Sequence, residues 1–378
     1  MTYIPQKHIE NLRKLITPGK VVVIYGARRV GKTTLLQKFL KNEDTTRVLF
    51  VNGDDIMVGH YLESQSINKL QDFIGEHVLL VVDEAQHIER IGLSLKIIVD
   101  HMPHVKVIAT GSSSFDLAKD VGEPLTGRKF VLPLFPLAQM EISGQEKRHE
   151  TEANLELRLI YGSYPEVVTT RDNVRREEYL REIISSYLFK DILALEGIRY
   201  AKKLVRILQL IAFQIGREVS LAELGRQLSM SKNTVERYLD LLEKVFVVYR
   251  RTGFSRNLRK EITKNHRFYF FDTGIRNALI GNFNPLAIRN DVGELWENYV
   301  ITERYKRHEY SRHIVNSYFW RTYDKKEIDI VEEQRGHLSG YEIKWKNIPV
   351  KIPRDWKAGY PGADFSVIHR ENYLEFIQ

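Results

Sequence analysis

Residues 21–40 read VVVIYGARRVGKTTLLQKFL and contain three successive segments of different composition. The apolar run at 21–25 predicts a buried strand, a glycine-rich turn follows, and helix-forming residues begin near Lys32. The spacing Gly26-x4-Gly31-Lys32-Thr33 is that of a phosphate-binding loop, in the strand-turn-helix context that this pattern requires. The sequence therefore predicts a nucleotide site at the end of this strand, the alternative being a chance Gly-Lys-Thr at an ordinary helix start.

Each residue type in the loop has a physical reason. Glycines let backbone N–H groups turn toward phosphates, and the helix N-terminus adds a partial positive charge. Lys32 is expected to reach the β- and γ-phosphates, and the Thr33 hydroxyl to ligate Mg²⁺. The predicted nucleotide-binding residues are Gly26, Ala27, Arg28, Arg29, Val30, Gly31, Lys32, Thr33 and Thr34.

A second apolar run, HVLLVVDEAQHI, is typical of a parallel strand buried on both faces. It ends in Asp83 and Glu84, and the carboxyl edge of a parallel sheet is where ligands bind in open α/β folds. We expect Asp83 to hold Mg²⁺ through water and Glu84 to orient or polarise the attacking water. The alternative is a strand that simply reaches solvent.

A third strand, HVKVIATGSSS, ends in small hydroxyl residues. Thr110 and Ser112 are candidates for sensing the γ-phosphate or the attacking water, whereas Ser113 and Ser114 are better interpreted as helix caps. Further on, LTGRKF offers Arg128 as a transition-state arginine, acting in its own subunit or in a neighbouring subunit of a homo-oligomer. A plain surface arginine fits the same pattern.

The segments GARRVGKTTLL, VVDEAQ, ATGSSS and TGR, in this order, resemble the AAA-type P-loop ATPases of the additional-strand class. More narrowly, they resemble a bacterial and archaeal family in which this ATPase precedes a C-terminal domain of unknown function. The resemblance continues through YGSYPEVV, SYLFKDIL, FYFFDTGIRNALIG, GELWENYV and EIDIV…EIKW, so it covers nearly the whole chain. It implies ATP and Mg²⁺ as cofactors.

Composition limits the remaining choices. The length of 378 residues suggests two to three domains, and the absence of cysteine excludes disulfides, thiolate metal sites and cysteine nucleophiles. No apolar run approaches the ~18 residues that span a bilayer, and FVLPLFPLA is interrupted by two prolines. The N-terminus lacks the layout of a signal peptide, so we expect a cytoplasmic protein with no membrane partner.

The middle of the chain predicts two helical parts. Residues 150–198 are helical and charged, which suggests a lid behind the nucleotide or simply a solvated helix face. The stretch VSLAELGRQLSMSKNTVERYLDLLEKVFVVYRR then has a helix-turn-helix layout, with Ser220 as a cap and a β-rich wing after it.

This helix-turn-helix is a candidate DNA-binding element. Between positions 217 and 264 the chain has 11 Lys and Arg against 6 Asp and Glu. The residues that suit phosphate contacts are Lys232, Asn233, Arg237, Arg250, Arg251, Arg256, Arg259 and Lys260. Glu236, Asp240 and Glu243 interrupt the basic face, so a protein-interaction module remains the alternative.

Carboxylates gather near the C-terminus. Side chains two apart share a strand face, so Glu342 and Lys344 in GYEIKW project together, as do Glu327 and Asp329 in KEIDIVEE. The short QRGHLSG between them predicts a hairpin, and the helix in GELWENYV carries Glu297.

Glu297, Asp329, Glu342 and Lys344 together resemble the core of the PD-(D/E)xK nucleases. This resemblance implies that Asp329 and Glu342 hold Mg²⁺, which stabilises phosphate charge and activates water, while Lys344 orients that water. The alternative is a surface salt bridge or a charged sheet edge that blocks strand pairing.

We therefore predict an α/β chain of four parts. Residues 1–140 form a P-loop ATPase core with a parallel sheet, 141–200 a helical lid, 201–285 a winged helix-turn-helix and 286–378 an α/β restriction-endonuclease-like domain. The predicted function is a Mg²⁺-dependent ATPase coupled to a nucleic-acid-binding, nuclease-like region. The alternative is a nucleotide-gated protein-interaction switch with an inactive nuclease-like fold.

Overall fold

The computed structural model describes residues 3–41, 43–112, 125–188, 201–255, 266–322 and 324–378. Five residues named above lie outside these ranges: Ser113, Ser114, Arg256, Arg259 and Lys260. Within the ranges, no helix combines the length and the apolar character needed to cross a bilayer.

A parallel sheet forms the first part of the chain. Its strands are β1 (Val21–Gly26), β2 (Val48–Asn52), β3 (Leu79–Asp83), β4 (Lys106–Gly111) and β5 (Lys129–Leu134). Their order is β2-β3-β4-β1-β5, and every neighbouring pair is parallel. Because β4 lies between β1 and β3, the sheet has the additional strand that the family resemblance implies.

Helices cover both faces of this sheet. They are α1 (His8–Leu15), α2 (Lys32–Leu40), α3 (Ile56–Leu62), α4 (Ile67–Ile74) and α5 (Ile91–His101), with 3-10 turns at Thr45–Arg47 and Ala85–His87. Val22 and Ile24 of β1 share a core with α1 and α2, whereas Val21 and Val23 share one with α3, α4 and α5. The alternation of side chains along a strand explains why β1 is apolar at every position.

A run of short helices follows the sheet. It comprises α6 (Gln139–Ile142), α7 (Arg148–Ala153), α8 (Leu155–Tyr161), α9 (Pro165–Thr169) and α10 (Asn173–Glu182), continued by a π-helical turn at Ile183–Leu188. Tyr161, Tyr164 and Leu180 join the same core as Val22 and Ile24. These helices are therefore packed on the nucleotide half of the chain.

The predicted helix pair is present in the next part. Residues 201–270, here called the helix-pair module, contain α11 (Ala201–Phe213), β6 (Glu218–Val219), α12 (Leu221–Leu228), α13 (Lys232–Lys244), β7 (Val248–Arg251) and β8 (His266–Phe270). Ser220 and Ser231 cap α12 and α13 by accepting hydrogen bonds from Glu223 N and Thr234 N. The strands form an antiparallel sheet in the order β6-β8-β7.

The segment FDTG joins this module to α14 (Thr273–Ile280). Asp272 caps α14 through Ile275 N at 3.1 Å and also accepts a hydrogen bond from Ser163 N at 2.7 Å. A Cβ on Gly274 would lie 2.0 Å from the Tyr161 carbonyl oxygen, so the helix approaches the end of α8 more closely than any side chain allows. The two motifs YGSYP and FDTG are thus one structural junction.

The C-terminal part is a long helix on a mixed sheet. It contains α15 (Val292–Ser311), β9 (Asn316–Arg321), β10 (Glu327–Gln334), β11 (His337–Ile343), α16 (Arg354–Gly359), β12 (Asp364–Ile368) and α17 (Tyr373–Ile377). A 3-10 turn at Leu286–Ile288 precedes α15. The sheet order is β12-β11-β10-β9, with β10 and β11 forming the predicted hairpin and β12 parallel to β11.

Helix α15 also packs on the first half of the chain. Leu295, Trp296 and Tyr299 share a core with Phe135 and Leu159. Two hydrogen bonds add to this contact: Gln139 N donates to Glu303 Oε2 at 2.6 Å, and Asn11 Nδ2 donates to the Tyr310 carbonyl at 2.9 Å. The C-terminal part is therefore held by both apolar and polar contacts.

The junction at Gly274 gives a test of stability. We expect Gly274→Ala to lower the free energy of unfolding by about 1–3 kcal/mol or more, because the added Cβ collides with a backbone oxygen that cannot move alone. Gly293→Ala is the matched control, since a Cβ there meets nothing within 4 Å and its position is helical. Urea denaturation of both variants measures the difference, and equal stabilities would contradict this account of the junction.

Candidate functional site

The phosphate-binding loop is shaped by close backbone approach. A Cβ on Gly26 would lie 2.2 Å from the Leu134 carbonyl oxygen on the neighbouring strand β5, so only glycine fits. Gly31 has φ of 98° and Arg29 has φ of 65°, both left-handed. These turns bring the chain directly from the end of β1 to the N-terminus of α2, which is where an anion is favoured.

Lys32 is held over this loop. It is buried, and its Nζ donates to the carbonyl oxygens of Gly26 at 3.0 Å and Ala27 at 3.1 Å. The ammonium is therefore fixed close to the N–H groups of the turn, in the position from which a lysine compensates phosphate charge.

Thr33 and Asp83 form the candidate magnesium site. Thr33 Oγ1 donates to Asp83 Oδ2 at 2.7 Å, and the Thr110 hydroxyl donates to Asp83 Oδ1. Mg²⁺ takes one or two protein oxygens and completes its shell with phosphates and water. One hydroxyl and one carboxylate side by side at the end of the loop fit that requirement.

Glu84 follows Asp83 in the chain and has two polar partners. Its N–H donates to Thr110 Oγ1 at 3.1 Å, and its carboxylate accepts from Gln86 Nε2. Gln86 Oε1 in turn accepts from Ser112 N at 3.2 Å. Gln86 therefore links Glu84 to Ser112, while Thr110 contacts Glu84 directly. Gln86 was not among the residues predicted from the sequence, although it stands in VVDEAQ.

A pocket of about 500 Å³ connects the loop to other parts of the chain. Lys32, Thr33 and Glu84 line one side of it, and the other lining residues include Tyr3, Gln6, Pro165, Glu166 and Tyr179. Gln6 Nε2 donates to the Val30 carbonyl at 3.1 Å, which fastens the N-terminal segment to the loop. No motif in the N-terminal sequence indicated that it takes part.

Arg29 links the loop to two of the short helices. Its guanidinium lies 3.8 Å from Glu166 Oε2 on α9 and 3.5 Å from Glu182 Oε1 on α10. All three side chains are partly exposed, at 39%, 41% and 53%, so these are surface ion pairs of small energy. Their importance is that they join the phosphate-binding loop to the predicted lid.

Arg128 lies away from this pocket. It precedes β5, its carbonyl accepts from Val21 N at 2.8 Å, and its Nε donates to Asp100 at 2.5 Å. Because β1 and β5 are parallel, their starts lie at the sheet edge opposite Gly26. This placement does not fit a transition-state role for Arg128 at the nucleotide of its own chain. A role of Arg128 at the nucleotide of a neighbouring subunit stays a prediction.

The basic residues of the helix-pair module divide into two groups. Lys232, Asn233 and Arg237 are exposed on α13, as expected. Arg250 forms ion pairs with Asp240 and Glu243, however, and Arg251 is only 5% exposed and donates to Ser317. The expectation that Arg250 and Arg251 contact phosphates is wrong for this arrangement, since both guanidinium groups are engaged within the protein.

The C-terminal hairpin brings the predicted carboxylates together. Ile330 pairs with Tyr341, and one further step in this register places Asp329 opposite Glu342. Asp329 Oδ2 accepts from Ile343 N at 2.9 Å, and Lys344 Nζ donates to Glu342 Oε1 at 2.6 Å. Asp329 and Glu342 are both buried, so a charged edge in solvent does not describe them.

Two side chains of β8, from the helix-pair module, complete this cluster. Arg267 Nη1 lies 3.6 Å from Asp329 Oδ1 and 3.8 Å from Glu297 Oε1, and its Nη2 lies 2.5 Å from Glu327 Oε2. Tyr269 donates its hydroxyl hydrogen to Glu297 Oε1 at 2.7 Å. The sequence analysis missed both residues, because nothing in the HRFYFF stretch indicates a partner so far along the chain.

The electrostatics of the cluster follow from burial and crowding. Burial, and after it the charge of Asp329, raises the pKa of Glu297 to about 8 and that of Glu342 to about 7. In the parts of the chain that the structure describes, no three carboxylate or imidazole groups converge as metal ligands. Both Lys344 and Arg267 place positive charge near Asp329. Arg267 is a cation that the nuclease resemblance does not include, so the arrangement departs from the Mg²⁺ centre that this resemblance implies.

Comparison with known protein families divides the chain into three matched regions. Residues 18–143 match a family model described as an AAA domain. Residues 152–286 match a domain of unknown function (DUF8612), and residues 292–364 match another (DUF4143). The first match contains the residues that line the candidate nucleotide pocket, except for those of the N-terminal segment and of α9 and α10.

Relatives occur in distant organisms. An uncharacterized protein of Mycobacterium tuberculosis is 28% identical over 345 residues, which cover 89% of this chain and 73% of the relative. An uncharacterized protein of Haemophilus influenzae is 24% identical over 379 residues, covering 93% and 87%.

Among solved structures, the Cdc6p crystal structure from Pyrobaculum aerophilum matches with a TM-score of 0.28 at 13% identity, covering 75% of this chain and 96% of that one. A likeness at this level carries no functional argument. The family matches carry more: the chain has an AAA domain of the P-loop ATPase type, followed by two domains of unknown function.

Proposed function

We propose that this chain is a Mg²⁺-dependent ATPase whose nucleotide state is passed through the lid helices to its C-terminal half. The observation that carries the proposal is one pocket in which Lys32, Thr33 and Glu84 face the lid residues Glu166 and Tyr179. The match of residues 18–143 to an AAA domain supports it independently of this geometry.

Each residue of the pocket has a separate task in this proposal. Lys32 compensates the charge of the β- and γ-phosphates, and Thr33 and Asp83 would hold the metal. Bound Mg²⁺ supplies charge neutralisation at the phosphates. Glu84 accepts the proton of the attacking water, and Gln86 holds the Glu84 carboxylate in position while also contacting the backbone at Ser112.

Polar contacts offer a route from the nucleotide to the other parts of the chain. Arg29 joins the loop to α9 and α10 through Glu166 and Glu182. The chain between α8 and α9 carries Ser163, whose N–H is held by Asp272 at the start of α14. A change of the loop on hydrolysis would therefore reach Asp272, in the segment that joins the helix-pair module to α14, through two polar contacts.

We further propose that the C-terminal half binds nucleic acid through α13, where Lys232, Asn233 and Arg237 are exposed. Arg250 and Arg251 are taken up by internal contacts, and Arg267 stands among the nuclease-like carboxylates. These observations favour binding without cleavage. They also keep a protein-interaction switch as the second candidate, since Arg250 and Arg251 do not add to the exposed basic face among the described residues.

Two variants separate nucleotide binding from hydrolysis. We expect Lys32→Ala to weaken ATP binding at least tenfold, because the phosphate charge loses its buried partner. We expect Glu84→Gln to bind ATP like the wild type. Its hydrolysis rate should fall by a factor of at least about 10², since a positioned base contributes at least that much. Affinity and steady-state turnover are measured for both.

Matched surface variants serve as controls for this pair. Lys41→Ala lies just beyond α2 and Glu89→Gln lies beyond the 3-10 turn after Glu84, and both positions are exposed. Both controls should behave like the wild type. Wild-type turnover in Glu84→Gln would show that Glu84 does not activate the water.

The nucleic-acid proposal predicts a change in salt dependence. Replacing Lys232 and Arg237 by serine should weaken binding to duplex DNA and reduce the slope of log affinity against log salt by about 2, since each lost phosphate contact removes about 0.9 from that slope. The measurement is a fluorescence anisotropy titration at several salt concentrations.

Arg148→Ser with Arg175→Ser removes the same charge elsewhere, from side chains that are 65% and 79% exposed. This control should leave the slope unchanged. If both double variants alter the slope equally, the effect comes from net charge, and the protein-interaction switch becomes the preferred function.

A further inference from the structure

Four carboxylates, those of Glu297, Glu327, Asp329 and Glu342, form a cluster at the pocket between the helix-pair module and the C-terminal part. The pocket has a volume of about 490 Å³, and Glu297, Glu327 and Asp329 line it together with Arg267 and Lys344. The fourth carboxylate, Glu342, is bonded to Lys344. Because buried carboxylates repel one another, such a cluster requires a cation close by.

Arg267 is the cation that contacts three of them. Its side chain is 3% exposed, and it lies within 4 Å of carboxylate oxygens of Glu297, Glu327 and Asp329. Its guanidinium carbon also lies 4.6 Å from the centre of the Phe319 ring on β9. The guanidinium is therefore enclosed by groups from α15, β10 and β9, all outside its own module.

We propose that Arg267 is the resident cation of this carboxylate cluster, and that a site for a hard divalent cation forms there only when Arg267 is withdrawn. The proposal goes beyond the ATPase and nucleic-acid functions, and it depends on neither. In the present arrangement Arg267 holds β8 of the helix-pair module against the C-terminal part, and the cluster is a clamp between the two.

The oxygen atoms that Arg267 contacts are those that a hard cation would use. Asp329 and Glu342 lie opposite each other on the hairpin, and Glu297 faces Asp329 through the guanidinium. Carboxylate oxygen is the ligand type that Mg²⁺ and Mn²⁺ prefer. The Arg267 Nη1 atom lies within 4 Å of an oxygen atom of both Glu297 and Asp329, so Arg267 and such an ion would compete for the same carboxylates and exclude each other.

The test is Mn²⁺ binding to the full-length, nucleotide-free protein, followed by the electron paramagnetic resonance signal of free Mn²⁺. We expect Arg267→Ala to gain one site that binds Mn²⁺ at least tenfold more tightly than any site in the wild type. Adding Asp329→Asn to that variant should abolish the gain. Any weak binding at Thr33 and Asp83 is common to all these proteins and cancels in the comparison.

Arg321→Ala is the matched control. Arg321 lines the same pocket and pairs with Glu218 at 3.0 Å and Glu327 at 3.9 Å, but it makes no ion pair with Glu297 or Asp329 among the described residues. It removes one arginine without freeing the central carboxylates, so it should bind Mn²⁺ like the wild type.

Thermal unfolding provides a second readout. Because a ligand that binds only the folded state stabilises it, Mn²⁺ should raise the Tm of Arg267→Ala and leave that of the wild type unchanged. If Arg267→Ala does not fold, Arg267→Gln keeps a planar polar group and removes the charge, and the same outcomes are expected of it. Binding at Asp329 in the wild type, or a folded arginine variant that binds no Mn²⁺, would overturn the proposal.

Discussion

A charge taken out of water must be met by an opposite charge or by hydrogen bonds, and the contacts between the parts of this chain are arranged around that constraint. Asp83 is held by two threonine hydroxyls from the ends of other elements. Asp272 is held by the backbone of the lid segment, and Glu303 by Lys306 and by the backbone of α6. Each buried carboxylate therefore fixes the position of a second element that is distant in sequence.

The same constraint accounts for the different character of the two sites. In the nucleotide pocket, Asp83 accepts hydrogen bonds from the neutral hydroxyls of Thr33 and Thr110. In the C-terminal cluster, the carboxylates face a guanidinium, so their charge is already compensated. The two sites both carry acidic residues next to a lysine. In our proposal the first takes Mg²⁺ from outside, whereas in the second a cation of the chain already faces the carboxylates.

The sequence predicted what is local and missed what is distant. The loop at 26–34 is defined by neighbours in the chain, and the strands ending at Asp83 and Thr110 are recognisable from apolar runs, so their positions followed from pattern alone. The hairpin was equally accessible, because alternation along each strand fixes which side chains share a face. Arg267, Tyr269 and Gln6 were missed, since their partners lie far along the chain and no periodicity marks a contact of that kind. The position of Arg128 could not be predicted either. It depends on β5 being parallel to β1, which places the start of β5 at the sheet edge opposite Gly26.

The two faces of strand β8 pack on different parts of the molecule, and this limits where residues can be inserted into the chain or deleted from it. Phe268 and Phe270 face the core that also contains the nucleotide strand β1, whereas Arg267 and Tyr269 face the carboxylates of the C-terminal part. A residue inserted within the strand would exchange the two faces, placing aromatic rings among carboxylates and a guanidinium in an apolar core. A change of length inside residues 266–270 is therefore expected to be disfavoured. The length of this short strand fixes the register between the two halves of the molecule.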